Sequence, residues 1–304
     1  SPDETKFNVN DVRYRDWDTL QYLFRGIEKF TPWVRKVHFV TCGHVPQWLN
    51  LDHPKLHFVK HSDYMDEAFL PTFSSHPIEL NMHRIEGLSE KFVYFNDDVF
   101  LLAPMEEEDF FVNGLPRGCA VLNPPTANRY GIPTIVMNNL GIIVDHFDFM
   151  RQFKAHWKKW IHPAYGLKLM RTFLLLPWRR YLGFLDLHLP APFLKSTFEK
   201  VWAEEEALLR KTSGHRFRDD SDVNQYLMTY WQIASGEFMP GNPKNGKMYD
   251  VGSQIDVITD VIQHQKLKMI CVNDTEAVEN YSQLQQRLKN AFDCILGERS
   301  SFEK

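Results

Sequence analysis

The amino-acid sequence predicts an α/β fold with a largely parallel sheet flanked by helices, and three observations support this prediction. The chain has 304 residues, of which 43% are hydrophobic and 24% charged, as in globular proteins rather than disordered or fibrous ones. In the first half, amphipathic helical segments alternate with short runs of β-branched and aromatic residues, which is typical of parallel-sheet proteins. In the second half, helical periodicity predominates.

The elements of the first half follow from local signals. A helix is expected from Asp16 to Phe30, because apolar residues recur on one face and Pro32 stops the helix. A second helix is expected from Ser74 or Ser75, either of which can cap its first turn, to about Glu86. Short strands are expected at Val37–Thr41, Leu56–Val59 and Phe92–Phe95.

The second half divides into a lobe and a helical remainder. Its helices are expected at 151–162, 167–176, Thr197–Arg210, Ser221–Ala234, Gln254–Gln263 and Ala277–Phe292. We therefore expect an α/β core at residues 1–150, a basic and aromatic-rich helical lobe at 151–185, and a helical remainder at 186–304 that completes the site.

Two adjacent carboxylates directly after a strand form the sharpest local feature. Asn96, Asp97 and Asp98 follow Phe92–Phe95, at the strand end where ligands gather in a parallel sheet. Oxygen ligands of this kind suit a hard cation such as Mg²⁺ or Mn²⁺. The alternative is a polar turn in which one of the aspartates caps the next element.

Three further candidates lie on the second predicted helix. Glu79 and His83 are four residues apart, so they are expected on one helix face, and Arg84 follows beside them. Together they could bind sugar hydroxyls and phosphate. The alternative is an ordinary solvated helix face.

A histidine in a proline-rich loop is a candidate general base. His188 lies in the segment 187–192, which contains two prolines, and Lys195 follows it. The pKa of histidine suits proton transfer near neutral pH. The alternative is a histidine packed within the loop.

Two later segments could add charge to the same site. Residues 215–222 concentrate cations and carboxylates, including Arg218 and Asp222, before a predicted helix, and arginine forks match phosphate oxygens. Helix capping is the alternative there. Asn273 and Asp274 end a short apolar run and could complete a metal site or make a turn.

The lobe has an uneven charge. From Arg151 to Leu185 there are eight Lys or Arg residues, eight aromatic residues and no Asp or Glu. Such a segment suits an anionic membrane surface, to which each cation contributes about 1 kcal/mol. Nucleic acid is not expected as a partner, because the whole chain has a net charge of -4. The alternative is a buried helical hairpin whose lysines reach the solvent.

The ordered set of motifs resembles the Stealth family of hexose-1-phosphate transferases, which act in bacterial capsular polysaccharide synthesis and in the tagging of animal lysosomal hydrolases. Segments similar to the family's second region are Arg15-Asp16, Thr31–Arg35, Pro46–Asn50, Leu70–Ser75, Ile78-Glu79, His83–Ser89 and Phe95–Asp98. Segments similar to its third and fourth regions are His188–Trp202, Thr212–Tyr230, Cys271–Asp274 and Ser301–Lys304. Nothing in residues 1–10 resembles the apolar strand with which members usually begin, so we expect that strand to be missing.

The resemblance implies a GT-A-like or Rossmann-like fold and a reaction. A UDP-sugar would donate hexose-1-phosphate to a sugar hydroxyl of a glycan, which is expected to be lipid-linked, and UMP would leave. The implied metal ligands for Mg²⁺ or Mn²⁺ are Asp97, Asp98, Asn273 and Asp274. The implied catalytic residues are His188 as the base, Asp98 and Arg218, with Glu79 or Asp222 as alternative bases. The implied substrate-binding residues are Glu79, His83, Arg84, Asn96, Lys195 and Asp222.

Two competing functions and a location complete the expectations. An ordinary metal-dependent glycosyltransferase would release UDP, and a non-catalytic relative would bind glycan or lipid without turnover. The four cysteines lie far apart in the sequence without a CxxC pair, which fits a reducing compartment. We therefore expect a cytoplasmic protein that is peripheral on the inner face of the cell membrane.

Overall fold

Helices and short strands alternate through residues 17–126, 128–274, 278 and 280–304, which are the residues that the computed structural model describes. The helices are α1 Leu20–Phe30, α2 Ser75–Leu80, α3 Ile132–His146, α4 Phe149–Trp160, α5 Leu169–Leu175, α6 Lys195–Glu204, α7 Glu206–Ser213, α8 Tyr226–Ser235, α9 Val251–Gln263 and α10 Tyr281–Leu296. The strands are β1 Val37–Thr41, β2 Leu56–Lys60, β3 Lys91–Tyr94, β4 Val99–Leu101, β5 Phe111–Val112, β6 Leu115–Gly118, β7 Ala191–Leu194, β8 Met239–Pro240, β9 Gly246–Asp250 and β10 Met269–Asn273. The expectation for residues 1–10 lies outside the described residues.

A mixed α/β fold is confirmed, whereas one largely parallel sheet is not found among the described strands. They pair in four small sheets, ordered β1-β2, β4-β10-β9, β3-β7 and β5-β6-β8. The pairs β1-β2, β10-β9 and β6-β8 are parallel, and the pairs β10-β4, β3-β7 and β5-β6 are antiparallel. The order of local elements did not reveal this arrangement, because β3 and β4 take their antiparallel partners, β7 and β10, from the second half of the chain.

The second predicted helix is shorter than expected, and the reason is a buried asparagine. The helix α2 ends at Leu80, and Met82–Arg84 forms a separate 3₁₀ turn. Asn81 is completely buried between them, and its amide donates to the Pro77 carbonyl at 2.8 Å and to Ser213 Oγ at 3.0 Å. The prediction that Glu79 and His83 share one helix face is therefore wrong.

The expected helix Thr197–Arg210 is also divided. It forms α6 and α7, which meet at Glu205, where the backbone leaves helical geometry with φ of -125°. The helix expected from Ser221 begins only at Tyr226. The other expected helices and strands are present within a few residues of their predicted ends, except that the predicted starts at Asp16 and Ala277 lie outside the described residues.

The β3-β7 pair separates two hydrophobic cores. Phe92 and Tyr94 of β3 pack on a core built around α8, whereas Val93 and Phe95 pack on a core that contains α9 and α10. This division follows from the alternation of side chains along a strand. The turn at 96–98, which leads from β3 to β4, therefore lies where the two cores meet.

Candidate active site

The Asp97-Asp98 turn and the end of β10 lie at the same edge of a sheet. The backbone N–H of Val272 donates to the Asp98 carbonyl at 2.8 Å, and Cys271 pairs with Val99 across the antiparallel ladder. Because β10 runs antiparallel to β4, the residues that end it, Asn273 and Asp274, come to the turn that begins β4. The structure thus brings together two acidic segments that are far apart in the sequence.

The Asp98 carboxylate contacts two other side chains. The thiol of Cys271 donates to Asp98 Oδ2 at 3.2 Å, and His188 Nε2 lies 3.7 Å from the same oxygen. Asn273 lies two residues beyond Cys271 on β10 and therefore on the same face of the strand. The indole N–H of Trp17 donates to Asp274 Oδ2 at 2.9 Å.

His188 is held on both sides of its ring. Its Nδ1 lies 3.2 Å from the Tyr226 hydroxyl of α8, opposite the Asp98 contact. Its backbone has a φ of 49°, in the left-handed region that non-glycine residues seldom occupy. Such a conformation persists only where the surroundings fix it, and it is more common at functional sites.

Carboxylates surround His188 and raise its pKa. The neighbouring Asp98 has the largest effect, and the negative charges of Glu79 and Asp186 act in the same direction, against the effect of burial. Glu79 is buried and accepts a hydrogen bond from the Tyr94 hydroxyl at 3.1 Å. The imidazolium form of His188 is thereby stabilised.

Asp186 is an unusual carboxyl in this group. Burial raises its pKa to about 7, although the Tyr230 hydroxyl donates to its Oδ2 at 2.5 Å and opposes the shift. Tyr230 lies one helical turn after Tyr226 on α8, and the two rings stack with centroids 6.3 Å apart. The helix α8 thus supports both His188 and Asp186.

The donors around Asp98 fit a hard divalent cation. Asp98 Oδ1 is buried and has no hydrogen-bond partner within the described ranges, so one carboxylate oxygen is open for a ligand. Donor atoms of Asp98, His188 and Cys271 lie within 4.8 Å of one another. Burial and the Asp98 charge raise the pKa of the Cys271 thiol, which keeps the sulfur protonated and a poor metal ligand. Carboxylate oxygens, which suit Mg²⁺ and Mn²⁺, are therefore the better donors here.

A cavity of about 140 Å³ opens beside His188. The residues that line it include Asp186, His188, Tyr226, Arg117 and Asn242. A few polar side chains in an otherwise apolar cleft are typical of a small-molecule site.

Several predicted site residues lie elsewhere in the fold. Asp222 is completely buried and accepts hydrogen bonds from His76 Nδ1 at 2.8 Å and from His215 Nδ1 at 2.6 Å. Arg218 donates to Ser75 Oγ at 3.2 Å, beside the start of α2. Asp222 therefore joins α2 to the segment before α8, and its role in substrate binding stays a prediction.

The residues after α2 pack on α6. His83 lies buried against Phe198 and Trp202, and burial lowers its pKa to about 4, so its ring is neutral. The Arg84 guanidinium lies 4.2 Å above the Trp202 ring. The backbone of Lys195, the first residue of α6, donates to the Glu90 carbonyl at 2.8 Å. These contacts favour packing over substrate binding for His83.

The sequence prediction missed four residues of this site: Tyr94, Asp186, Tyr226 and Cys271. Three of them had a signal in the sequence. Asp186 is the first acid after the acid-free stretch and lies two residues before His188, whereas Tyr226 and Cys271 lie within segments that resemble the family's third and fourth regions. Tyr94 has none, because its side chain meets Glu79 only through tertiary structure.

Comparisons with known proteins show extended similarity. A family model described as Stealth protein CR2, conserved region 2, matches residues 13–117, which include Glu79 and the 96–98 turn. A capsular polysaccharide phosphotransferase, WcwK of Streptococcus pneumoniae, is 38% identical over 99% of this chain and 91% of its own length. The receptor polysaccharide phosphotransferase WefC of Streptococcus gordonii is 42% identical, over 97% and 88%. The exopolysaccharide phosphotransferase cps2G of Lactiplantibacillus plantarum is 37% identical, over 99% and 89%.

Proposed function

Because the chain belongs to the Stealth family and is a polysaccharide phosphotransferase, we propose that it transfers a hexose-1-phosphate from a UDP-sugar to a sugar hydroxyl of a growing glycan. The acceptor oxygen attacks the phosphorus that carries the sugar, and the bond from this phosphorus to the bridging oxygen of the diphosphate breaks. UMP leaves, and a phosphodiester joins the two sugars. N-acetylhexosamine-1-phosphate is one candidate group.

One observation carries this proposal: His188 lies between Asp98 and Tyr226 at the wall of a cavity. The acceptor hydroxyl must lose a proton as its oxygen bonds to phosphorus, and His188 takes that proton. The carboxylates of Asp98, Glu79 and Asp186 stabilise the imidazolium that results. The proton then passes to solvent or to the departing UMP.

Charge neutralisation is the second requirement. A divalent cation, Mg²⁺ or Mn²⁺, held by Asp97, Asp98, Asn273 and Asp274 would offset the negative charge of the diphosphate. The open Oδ1 of Asp98 supports this assignment. Arg218, Arg84 and Lys195 are proposed to add positive charge near phosphate, although Arg218 donates to Ser75 at the start of α2 and Arg84 lies over the Trp202 ring.

The sugar contacts and the acceptor complete the proposal. Asn96, which is half-buried at the turn, and Glu79, which accepts a hydrogen bond from the Tyr94 hydroxyl, are proposed to orient the donor sugar. The acceptor is proposed to be lipid-linked, which would place the enzyme at the inner face of the cell membrane.

The nucleotide product tests the proposed reaction. The protein is incubated with a panel of UDP-sugars, a glycan primer and Mg²⁺ or Mn²⁺, and the nucleotides are separated by chromatography. UMP is expected. UDP would instead assign an ordinary glycosyltransferase, and tight binding of a UDP-sugar without either product would assign a non-catalytic relative.

A variant of the base links that product to the site. His188→Ala should lower kcat by about 10²–10⁴-fold with an unchanged circular dichroism spectrum. His264→Ala, which changes an exposed histidine at the end of α9, is the control and should keep full activity. A change in KM alone for His188→Ala would assign this residue to binding.

A further inference from the structure

In the helix α5 the distribution of polar and apolar side chains is the reverse of that in an ordinary surface helix. Its central core-facing residue is polar: Thr172 is completely buried, and its hydroxyl accepts a hydrogen bond from the Leu122 N–H at 3.1 Å. Most of its solvent-facing residues are apolar instead, with Arg171 between them. The large apolar side chains that α5 and its flanking turns expose are Leu167, Met170, Phe173, Leu174 and Trp178, which we call the α5 surface.

The α5 surface is unusual in its degree of exposure. Leu167 is 87% exposed and Leu174 is 70% exposed. Single exposed apolar residues are common in soluble proteins, but five large ones within twelve residues indicate an interaction site. Elsewhere in residues 151–185 the aromatic residues Trp160, Tyr165 and Phe184 are buried in the core that is built around α8, so this segment packs on the rest of the fold.

The charges beside this surface are of one sign. Lys168, Arg171, Arg179 and Arg180 are exposed in the same segment, and no acid occurs from Arg151 to Leu185. A second copy of the chain would bring these cations against each other. An anionic lipid surface would attract them, and each would strengthen attachment about fivefold. Trp178 is the residue type that favours the boundary between lipid and water.

We propose that the α5 surface docks on an anionic phospholipid bilayer, with its apolar side chains at the level of the acyl chains and its cations among the headgroups. The attachment is interfacial, because α5 has seven residues and no helix within the described residues combines the length and apolarity needed to cross a membrane. This mode corresponds to amphipathic segments that lie in the plane of the interface.

The position of the α5 surface suits the proposed function. Lys168 lies near enough to Cys119, a cavity-lining residue, for its charge to act on the thiol. Gly166 lies beside the Lys244 side chain, and Lys244 follows Asn242 and Pro243, which also line the cavity. A lipid-linked acceptor could therefore reach His188 from a bilayer on this side. Only this consequence rests on the proposed function, since docking itself requires no catalysis.

Vesicle sedimentation without any donor sugar tests the docking. The full chain should sediment with vesicles of phosphatidylcholine and phosphatidylglycerol, and at least tenfold more weakly with phosphatidylcholine alone. Leu174→Glu combined with Trp178→Glu should lower attachment to the anionic vesicles at least tenfold. Val257→Glu, at an exposed apolar position of α9, is the matched control and should attach as the wild type does.

A charge variant and the oligomeric state complete the test. Lys168→Glu with Arg179→Glu and Arg180→Glu should also detach the protein, whereas Lys159 is left unchanged because its ammonium donates to the Gly236 carbonyl at 2.6 Å. Equal attachment of the wild type and the Leu174→Glu, Trp178→Glu variant would overturn the proposal. So would a dimer in light scattering that this variant converts to a monomer without any vesicle attachment. Sugar-phosphate transfer to a soluble primer is measured separately, so loss of one result leaves the other interpretable.

Discussion

Two aspartates of this molecule, Asp98 and Asp222, each lie beside histidine, yet their surroundings differ. Asp222 is completely buried, and both of its oxygens are used: Oδ1 by His215, and Oδ2 by His76 and the Asp219 N–H. Asp98 is half-buried, and only its Oδ2 is used, by Cys271 and His188. Its Oδ1 has no partner in the part of the chain that the structure describes.

This difference suggests two different roles for the carboxylates. A buried carboxylate whose oxygens are all occupied has no capacity left for a ligand, but it links the segments that supply its donors. A buried carboxylate oxygen without a partner costs stability, and such groups are more common at functional sites. We therefore propose chemistry for Asp98 and fold integrity for Asp222, and three variants test this proposal.

The largest effect is expected at the open carboxylate. Asp98→Asn should lower metal-dependent kcat by about 10³-fold or more, because it removes the negative charge that stabilises His188 and the proposed cation. Its free energy of unfolding should stay within about 1 kcal/mol of the wild type, since the replacement keeps the size. Turnover assays and urea unfolding measure the two quantities. Turnover of Asp98→Asn at the wild-type rate would contradict a role for Asp98 in the site. Asp260→Asn, at an exposed position, is the control.

The reverse pattern is expected at the occupied carboxylate. Asp222→Asn should lower the free energy of unfolding by about 3 kcal/mol, because His76 and His215 lose a buried charged partner. The folded fraction should keep its kcat. Urea unfolding gives the first value, and assays normalised to folded protein give the second. Asp219→Asn, at the neighbouring exposed residue, should cost less than 1 kcal/mol. A large fall in kcat with unchanged stability would instead support the predicted role of Asp222 in substrate binding.

A smaller, pH-dependent effect is expected at Asp186. Burial raises its pKa from 3.8 to about 7, so the folded state binds this proton more tightly than the unfolded state. Its contribution to stability is therefore complete below pH 4 and is lost as the pH rises to about 7. Asp186→Asn should flatten that part of the stability profile. Thermal unfolding of both proteins between pH 4 and pH 8 measures the difference, and parallel profiles would contradict the assignment.

Local signals predicted the parts of the site that local chemistry determines. Two aspartates after an apolar strand indicated Asp98, and a histidine shortly before two prolines indicated His188. Contacts distant in sequence were not predictable in the same way. The helix break at Asn81 depends on Ser213, 132 residues away, and the neighbour of Asp98 on β10 is set by the antiparallel register with β4. The prediction of one largely parallel sheet was wrong for the same reason, since β3 and β4 pair with strands of the second half.

Residues 151–185 show what composition alone does not predict. Composition alone left open whether residues 151–185 bind a membrane or form a buried hairpin. The structure divides the segment: Trp160 and Tyr165 are completely buried, whereas Leu167 and Leu174 are exposed. Periodicity did not separate the two parts because the buried face of α5 carries a threonine.

The decisive measurement is the nucleotide that is released from a UDP-sugar. The wild type, Asp98→Asn and Asp222→Asn are assayed side by side at equal amounts of folded protein. We expect UMP from the wild type and from Asp222→Asn, and almost none from Asp98→Asn. Release of UMP at the wild-type rate by Asp98→Asn, or release of UDP by the wild type, would contradict it.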